Sequence, residues 1–215
     1  MLSEEEVLDI YRGYDAVWFF DHSGDPKAPH AELTSGRCSD GYINSAPVLA
    51  DPRMATLLAA ELIQRLASRS IGEVTWVVGS AYAAITFSYE VARQLGVRHG
   101  FVEKDPKNSK MMLWQRLTIP RNALVLRCEE LITTLGTTRE VQTAVAAGNA
   151  ESVFFHPVIA TAVWRPALLA DPAGENIVAL IRRSIQSWKP EECPLCRQGS
   201  PRYRPKSHWK ELTRQ

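Results

Sequence analysis

The sequence predicts a doubly wound α/β domain, in which a mostly parallel sheet is flanked by helices. Short apolar runs, typical of buried strands, alternate with segments whose apolar residues recur at helical spacing. The connections between them are short, and strand, helix, strand units of this kind pair in parallel through right-handed crossovers. A length of 215 residues with 45% hydrophobic content fits one such core with an appendage.

The individual elements follow from periodicity and from start and stop signals. Ser3 and Glu6 form the pattern of a capping box, which predicts a first helix over 4–11. Periodicity predicts further helices over 52–67, 83–95, 137–147 and 176–187. Apolar runs predict strands or extended segments over 16–20, 31–34, 74–78, 97–102, 123–128 and 152–163. An antiparallel ribbon is expected over 111–119, separated from the strand before it by the polar segment EKDPKNSK.

Charge and targeting signals exclude several classes of protein. The 25 Lys and Arg residues balance 24 Asp and Glu residues, so a formal charge of +1 provides no broad field for nucleic acid. The first residues, MLSEEEV, lack the basic flank and apolar run of a secretory signal, and no window reaches the roughly 18 apolar residues of a membrane span. We therefore expect a cytoplasmic protein whose four cysteines are reduced.

The stretch LVLRCEELITTLGTTR, residues 124–139, has the composition of a site for a phosphorylated sugar. Its apolar strand leads to the edge of the sheet, where the carboxylates of Glu129 and Glu130 can accept hydrogen bonds from a sugar diol. The hydroxyls and amides of 133–138, at the start of a helix, can bind a phosphate. The alternative is a polar turn whose adjacent glutamates are solvated.

This stretch resembles the phosphoribosyl-diphosphate motif of type I phosphoribosyltransferases, in which a hydrophobic strand leads to an acidic pair and then TTGG(S/T). Other segments resemble the orotate phosphoribosyltransferase family. TSGRCSDGYINSAPVL resembles its N-terminal signature, and VVGSAYAAITFSYEVARQLGV resembles its pyrophosphate loop with the following helix. GFVEKD and MLWQRLTIP resemble the strands beside its catalytic loop, and ECPLCRQGSP resembles the tail of one bacterial branch. These segments occur in family order, and agreement at several separated places is more specific than any single motif.

The resemblance implies the type I phosphoribosyltransferase fold and a reaction. Residues 49–187 would form the core, 1–48 the first helix and a small hood, and 188–215 a tail packing on the hood. The implied reaction transfers phosphoribose from 5-phosphoribosyl 1-diphosphate to orotate, giving orotidine 5′-phosphate and diphosphate. Mg²⁺ would be held mainly by the substrate, and the active sites would be shared within a homodimer. No nucleic acid or membrane partner is implied.

The resemblance also assigns roles to residues. Glu129 and Glu130 would bind the ribose hydroxyls, while Lys104, Lys107 and Lys110 match a mobile basic loop that closes over the diphosphate of the neighbouring subunit. The remaining predicted substrate contacts are Ser39, Tyr42 and Asn44 near the base, Ser80, Ala81, Tyr82 and Ala83 at the diphosphate, Thr133, Thr134, Leu135, Gly136, Thr137 and Thr138 at the 5′-phosphate, and Arg165. Arg165 faces the base in one interpretation and is an ordinary surface arginine in the other.

The sequence departs from the family at three places in these loops. Family members usually have Asp where Glu130 stands, Gly where Leu135 stands, and Lys or Gly where Ala83 stands. Leu135 would be penalised if its position required a positive φ or a close approach of backbone to phosphate. These changes keep two alternatives open, a phosphoribosyltransferase for another nucleobase and a regulator that binds phosphoribosyl diphosphate without turnover.

Cys193 and Cys196 have the CxxC spacing of half a zinc site, but the sequence contains no second CxxC. A site completed by His208 and Cys38 is conceivable. A structural turn in the proline-rich tail is the favoured interpretation.

Overall fold

The computed structural model describes residues 1–69, 71–169, 174 and 176–214, without the side chains of Ser109 and Lys110. Its centre is a six-stranded sheet made of β5 (Trp76–Ser80), β6 (Arg98–Asp105), β7 (Asn108–Leu113), β8 (Leu124–Ile132), β9 (Phe154–Trp164) and β10 (Ile177–Arg182). The strand order is β10, β9, β8, β5, β6, β7, and all neighbours are parallel except the hairpin of β6 and β7. This confirms the predicted mostly parallel sheet.

Helices cover both faces of this sheet, as a doubly wound domain requires. They are α1 (Glu4–Gly13), α2 (Ala46–Leu49), α3 (Pro52–Ala67), α4 (Ala83–Leu95) and α5 (Gly136–Ala147). Because side chains alternate along a strand, Val77 and Leu126 pack with α1, α3 and α4, whereas Trp76 and Val125 pack with α5. The predicted fold class is therefore correct. The strand that carries the acidic pair, β8, is an interior strand of the sheet.

Two local signals in the sequence set helix ends as predicted. Ser3 accepts the amide of Glu6 while the Glu6 carboxylate accepts the amide of Ser3, which completes the capping box at the start of α1. Gly96 ends α4 with φ +70°, a left-handed conformation that glycine adopts without penalty. None of the helices in the described part of the chain combines the length and apolarity that crossing a membrane requires.

The two ends of the chain meet in a second, smaller sheet. Its strands are β11 (Ser187–Trp188), β3 (Cys38–Ser39), β2 (His30–Glu32) and β12 (Arg202–Tyr203), in that order. A separate ribbon pairs β1 (Val17–Phe19) with β4 (Gly41–Ile43). The C-terminal segment also forms a 3-10 turn (Pro190–Glu192) and the short helices α6 (Pro194–Arg197) and α7 (Trp209–Thr213). The tail is thus built into the structure by backbone pairing with the N-terminal segment.

The predicted helix over 176–187 is wrong, because this segment contains the edge strand β10. The run from Ile177 to Ile181 is continuously apolar, and a short apolar run does not distinguish a strand from a helix by its period. In the structure Ile177 packs with Trp164 on one face of the sheet, while the next residue, Val178, belongs to the core on the other face. Burial of successive residues on opposite faces requires a strand.

Two strand boundaries also differ from prediction. The polar segment EKDPKNSK does not separate two elements, because β6 continues through Lys104 to Asp105 and β7 starts at Asn108. Strand β8 continues to Ile132 and therefore contains the acidic pair. Backbone pairing with neighbouring strands extends both strands beyond their apolar residues.

Candidate active site

Glu129 lies buried near the carboxyl end of β8, beside the end of β5. It is 4% exposed, and Ser80 Oγ donates a 2.6 Å hydrogen bond to Glu129 Oε2. The other carboxylate oxygen, Oε1, has no hydrogen-bond partner among the described residues. Burial raises the pKa of Glu129 to about 7, with a small further rise from Glu130 and an opposing effect of the hydrogen bonds from Ser80. A buried acceptor without a partner is costly unless a ligand supplies one.

Glu130 points to the opposite face of the sheet, as expected for the next residue of a strand. The backbone N–H of Ser45 donates to its Oε1 over 3.1 Å. Glu130 is half-buried and lines a cavity of about 360 Å³. The walls of this cavity include three of the predicted substrate contacts, Asn44, Tyr82 and Ala83. The structure therefore brings the second carboxylate together with the hood and with the predicted pyrophosphate loop.

The predicted pyrophosphate loop, Ser80 to Ala83, connects β5 to α4. Ser80 is paired with Val102 of β6, and the next amide, Ala81 N–H, donates to the Val102 carbonyl over 2.8 Å. The Ala81–Tyr82 peptide bond is cis, and the Tyr82 side chain is 84% exposed. Ala83 and Thr86, in the first turn of α4, line the same cavity as Glu130. Amides at a helix N-terminus favour anions.

The loop after β8 ends at α5, whose first residue is Gly136. Thr133, Thr134 and Thr137 are exposed, whereas Thr138 is buried and its hydroxyl donates to the Leu135 carbonyl over 2.9 Å. The amides of the first helical turn have no partner inside a helix and carry its positive dipole end. This arrangement suits an anionic group such as a phosphate.

Leu135 is accommodated in this loop without backbone strain. Its φ of −80° is ordinary for an L residue, so the position does not require glycine here. The side chain is half-buried and packs against the cluster of Ile132, Ile159 and Trp164. Leucine therefore contributes to the core beneath the loop.

The three predicted basic residues belong to the hairpin of β6 and β7. Lys104 is in β6, two residues beyond Val102, and Lys107 is in the turn, where its N–H donates to Asp105 Oδ1 over 2.7 Å. Both lysine side chains are exposed. Lys110 is in β7, and its side chain lies outside the described part of the chain. No contact joins Lys104 or Lys107 to the acidic pair among the described hydrogen bonds and ion pairs.

The predicted base-binding residues Ser39 and Tyr42 differ in burial and in their contacts. Ser39 is fully buried, and its Oγ lies 2.8 Å from the Gly41 carbonyl and 2.9 Å from that of Gln186. Tyr42 is half-buried, its ring centroid is 6.2 Å from that of Trp209 in α7, and burial raises its pKa. Thus Ser39 fixes the local backbone, while Tyr42 joins the hood to the tail.

Arg165 follows β9 and is half-buried, which argues against an ordinary surface arginine. Burial lowers the pKa of Arg165, and the carboxylates of Asp40 and Glu130 partly oppose this effect. Asp40 was missed by sequence reasoning, although it stands inside the SDGYIN segment. Its Oδ1 accepts the amide of Gln186 over 2.7 Å. The carboxylates of Asp40 and Glu130 are therefore close enough to Arg165 to stabilise its charge.

Comparison with known proteins identifies the family. No protein-family model matches the sequence. The chain is 34% identical over 207 residues to the orotate phosphoribosyltransferase of Heliobacterium modesticaldum, which covers 96% of this chain and 99% of that protein. It is 36% identical over 199 residues to that of Pelotomaculum thermopropionicum, covering 90% and 96%.

Solved structures agree on the fold. The orotate phosphoribosyltransferase of Aeropyrum pernix superposes with a TM-score of 0.57 at 16% identity, covering 82% of this chain and 93% of that chain. A structural likeness at such low identity supports the architecture alone, whereas the two bacterial relatives match in sequence over nearly their whole length. The chain therefore belongs to the orotate phosphoribosyltransferase family.

Proposed function

We propose that this protein is an enzyme that transfers phosphoribose from 5-phosphoribosyl 1-diphosphate to orotate, forming orotidine 5′-phosphate and diphosphate in pyrimidine nucleotide synthesis. The observation that carries the proposal is Glu129, a buried carboxylate with one oxygen bound by Ser80 and the other without a partner. Family membership supports the same reaction, since the relatives that span nearly the whole chain are named for it.

The acidic pair would hold the ribose. A sugar that lies across the carboxyl edge of the sheet can donate hydroxyls to Glu129 Oε1 from one face and to Glu130 from the other, which satisfies the buried oxygen. Displacement at the anomeric carbon develops positive charge on the sugar ring, and two nearby carboxylates stabilise that charge. This role requires Glu129 to be ionised, and its neutral form would bind the sugar less well.

The two ends of the sugar phosphate would be held by helix termini. The exposed amides and hydroxyls at the start of α5, among them Gly136 and Thr137, would bind the 5′-phosphate. The loop from Ser80 to Ala83 would face the diphosphate. Fixing both ends positions the anomeric carbon for attack and lowers the entropic part of the barrier.

The oxygen donors of the site fit Mg²⁺, which prefers hard oxygen ligands and retains water. We propose that the diphosphate oxygens supply most of the ligands, and that Glu129 and Glu130 face the hydrated ion. When bound, the ion neutralises charge on the diphosphate. The half-buried carboxylate of Glu130, which lines the cavity, is the feature of this chain that suits it.

Orotate would bind between the hood and the end of β9. Its carboxylate complements the guanidinium of Arg165, which can form a bidentate pair. Tyr42 and Asn44 would border the base. We assign Ser39 a positioning role, because its hydroxyl already bonds to backbone.

The basic hairpin would complete the site from a neighbouring subunit in a homodimer. Lys104 and Lys107 are exposed near the tip of the β6–β7 hairpin, where a neighbouring subunit could meet them. Their ammonium groups would neutralise the departing diphosphate, and closure of the hairpin would exclude water.

A steady-state assay of the purified protein tests this proposal. With phosphoribosyl diphosphate and Mg²⁺ we expect diphosphate release with orotate and little release with uracil, xanthine or adenine. Faster diphosphate release with another base would identify that base as the acceptor of phosphoribose. Tight binding of phosphoribosyl diphosphate without release from any base would contradict an enzymatic role.

A further inference from the structure

We propose that the protein binds one structural Zn²⁺ ion through His30, Cys38, Cys193 and Cys196. The His30 side chain and the three thiols come from β2, β3 and the segment around α6, and their ligand atoms all lie within 4.8 Å of one another. Three cysteines and one histidine form a common ligand set of structural zinc sites. This site lies in the small sheet and does not depend on the proposed reaction.

The measured separations match a tetrahedral site. Bond lengths of about 2.3 Å to sulfur and about 2.0 Å to nitrogen place sulfurs roughly 3.8 Å apart, and sulfur and nitrogen roughly 3.5 Å apart. Cys38 Sγ and Cys196 Sγ are 3.6 Å apart. His30 Nε2 is 3.7 Å from Cys193 Sγ and 3.5 Å from Cys196 Sγ. Three of the six separations therefore match a tetrahedral site, and the other three are no longer than 4.8 Å.

The surroundings of His30 select the tautomer that a metal needs. Ser200 Oγ donates to the carbonyl of Ala28, so it is an acceptor toward His30 Nδ1, which lies 2.7 Å away. The proton of the neutral imidazole is then on Nδ1, and the lone pair of Nε2 is available to the sulfurs of Cys193 and Cys196. A hydrogen bond of this kind to the second ring nitrogen is a regular feature of metal-bound histidines.

The charges around the cluster also favour a metal. Zinc binding releases a proton from each thiol, and three thiolates with Zn²⁺ leave one net negative charge. Arg202 Nη1 is directed at Cys38 Sγ over 3.8 Å, which offsets that charge. The amide of Cys196 donates to Cys193 Sγ over 3.4 Å, a further stabilisation of a thiolate.

The position of the cluster indicates what the ion would do. Its ligands belong to segments more than 150 residues apart, as the separation of 163 between His30 and Cys193 illustrates. The strands that they tie together are only two or three residues long. Few backbone hydrogen bonds join such short strands, so a metal cross-link would add to their stability. Zinc would fasten the tail to the hood next to Ser39.

Metal analysis of the full-length, untagged protein purified under reducing conditions tests this proposal. We expect close to one zinc per chain by elemental mass spectrometry. The double variant Cys193→Ser plus Cys196→Ser should lose it. His208→Ala, which removes the other conceivable histidine ligand, and Cys128→Ser, which changes the cysteine outside the cluster, should retain it.

A second measurement on the unmodified chain keeps the test valid if the double variant does not fold. Chelator-treated, reduced protein is titrated with CoCl₂, and thiolate ligation should produce a charge-transfer band in the near ultraviolet that ZnCl₂ then abolishes. The proposal is overturned if the protein has no zinc as purified and shows no such band. It is also overturned if Cys38 or Cys193 is found in a disulfide in the reduced preparation, or if the His208→Ala variant loses the metal.

Discussion

Ser80 Oγ and Glu129 Oε2 are 2.6 Å apart, so a hydrogen bond joins the ends of the neighbouring parallel strands β5 and β8. This bond connects the predicted pyrophosphate loop with the predicted ribose-binding carboxylate. It also leaves the second oxygen of Glu129 available to a ligand. The Ser80–Ala83 loop and the Glu129 carboxylate are therefore held together, and Ser80 also influences the charge of Glu129.

Ser80→Ala should weaken the binding of phosphoribosyl diphosphate. The substitution removes a hydrogen bond to a buried carboxylate, which is worth roughly 1.5–3 kcal/mol, and it favours the neutral form of Glu129. We expect about a 10- to 100-fold rise in Kd, measured by titration calorimetry at pH 7.5. The control is Ser68→Ala, which removes an exposed hydroxyl at the end of α3. An unchanged Kd would show that Ser80 does not contribute to the binding of phosphoribosyl diphosphate.

The free energy of unfolding of the unliganded protein should depend on pH because the pKa of Glu129 is raised. The ordinary pKa of 4.5 becomes about 7 in the folded state, so between these values the folded chain holds a proton that the unfolded chain has released. The contribution of Glu129 is complete below pH 4.5 and is lost as the pH rises through 7. His99, whose pKa burial lowers to about 4, acts in the opposite sense below pH 6.5.

Comparison with Glu129→Gln isolates this contribution. Denaturant unfolding of both proteins from pH 4.5 to 8 should show the wild type losing on the order of 2–3 kcal/mol relative to the variant. Equal pH dependence of the two proteins would mean that Glu129 titrates normally.

Leu135→Gly should lower stability without restoring any missing function. Leu135 packs against Ile159 and Trp164 at an ordinary φ, so glycine removes apolar contacts and adds freedom to the unfolded chain. We expect a loss of about 1–3 kcal/mol in the free energy of unfolding, with kcat within a few-fold of wild type. Leu168→Gly, at a leucine that is 70% exposed, should cost less. A large rise in kcat would indicate that leucine obstructs the phosphate loop.

Arg165→Lys should impair orotate binding selectively. Lysine keeps the charge but loses the planar fork that can pair with a carboxylate. We expect KM for orotate to rise about tenfold while KM for phosphoribosyl diphosphate changes less than about twofold. Arg121→Lys, an exposed arginine before β8, is the matched control. Equal changes in both KM values would place Arg165 away from the base.

Elements with strong local signals were predictable from the sequence. The helices Pro52–Ala67 and Ala83–Leu95 have the predicted bounds, because apolar periodicity acts within each segment and Gly96 ends the second helix. Strand β10 was missed because its burial on two faces depends on β9 and on the core behind it. The same dependence on neighbours extends β8 to Ile132.

The candidate site residues could be proposed from sequence motifs, whereas their geometry could not. The acidic pair and the following threonines are contiguous, so a motif can identify them. The divergence of Glu129 and Glu130 to opposite faces follows only once both are known to lie within a strand. His30 could not be associated with Cys193 from the sequence, since distant segments pair in the small sheet.

The most direct test of the central claim is calorimetry of the variant Glu129→Gln plus Glu130→Gln with phosphoribosyl diphosphate and Mg²⁺. Both substitutions keep side-chain size, so circular dichroism should show an intact fold while binding becomes undetectable. The matched control is Glu140→Gln plus Glu151→Gln, which alters two exposed carboxylates and should bind like the wild type. An unchanged Kd in the acidic-pair variant would contradict a sugar site at the end of β8.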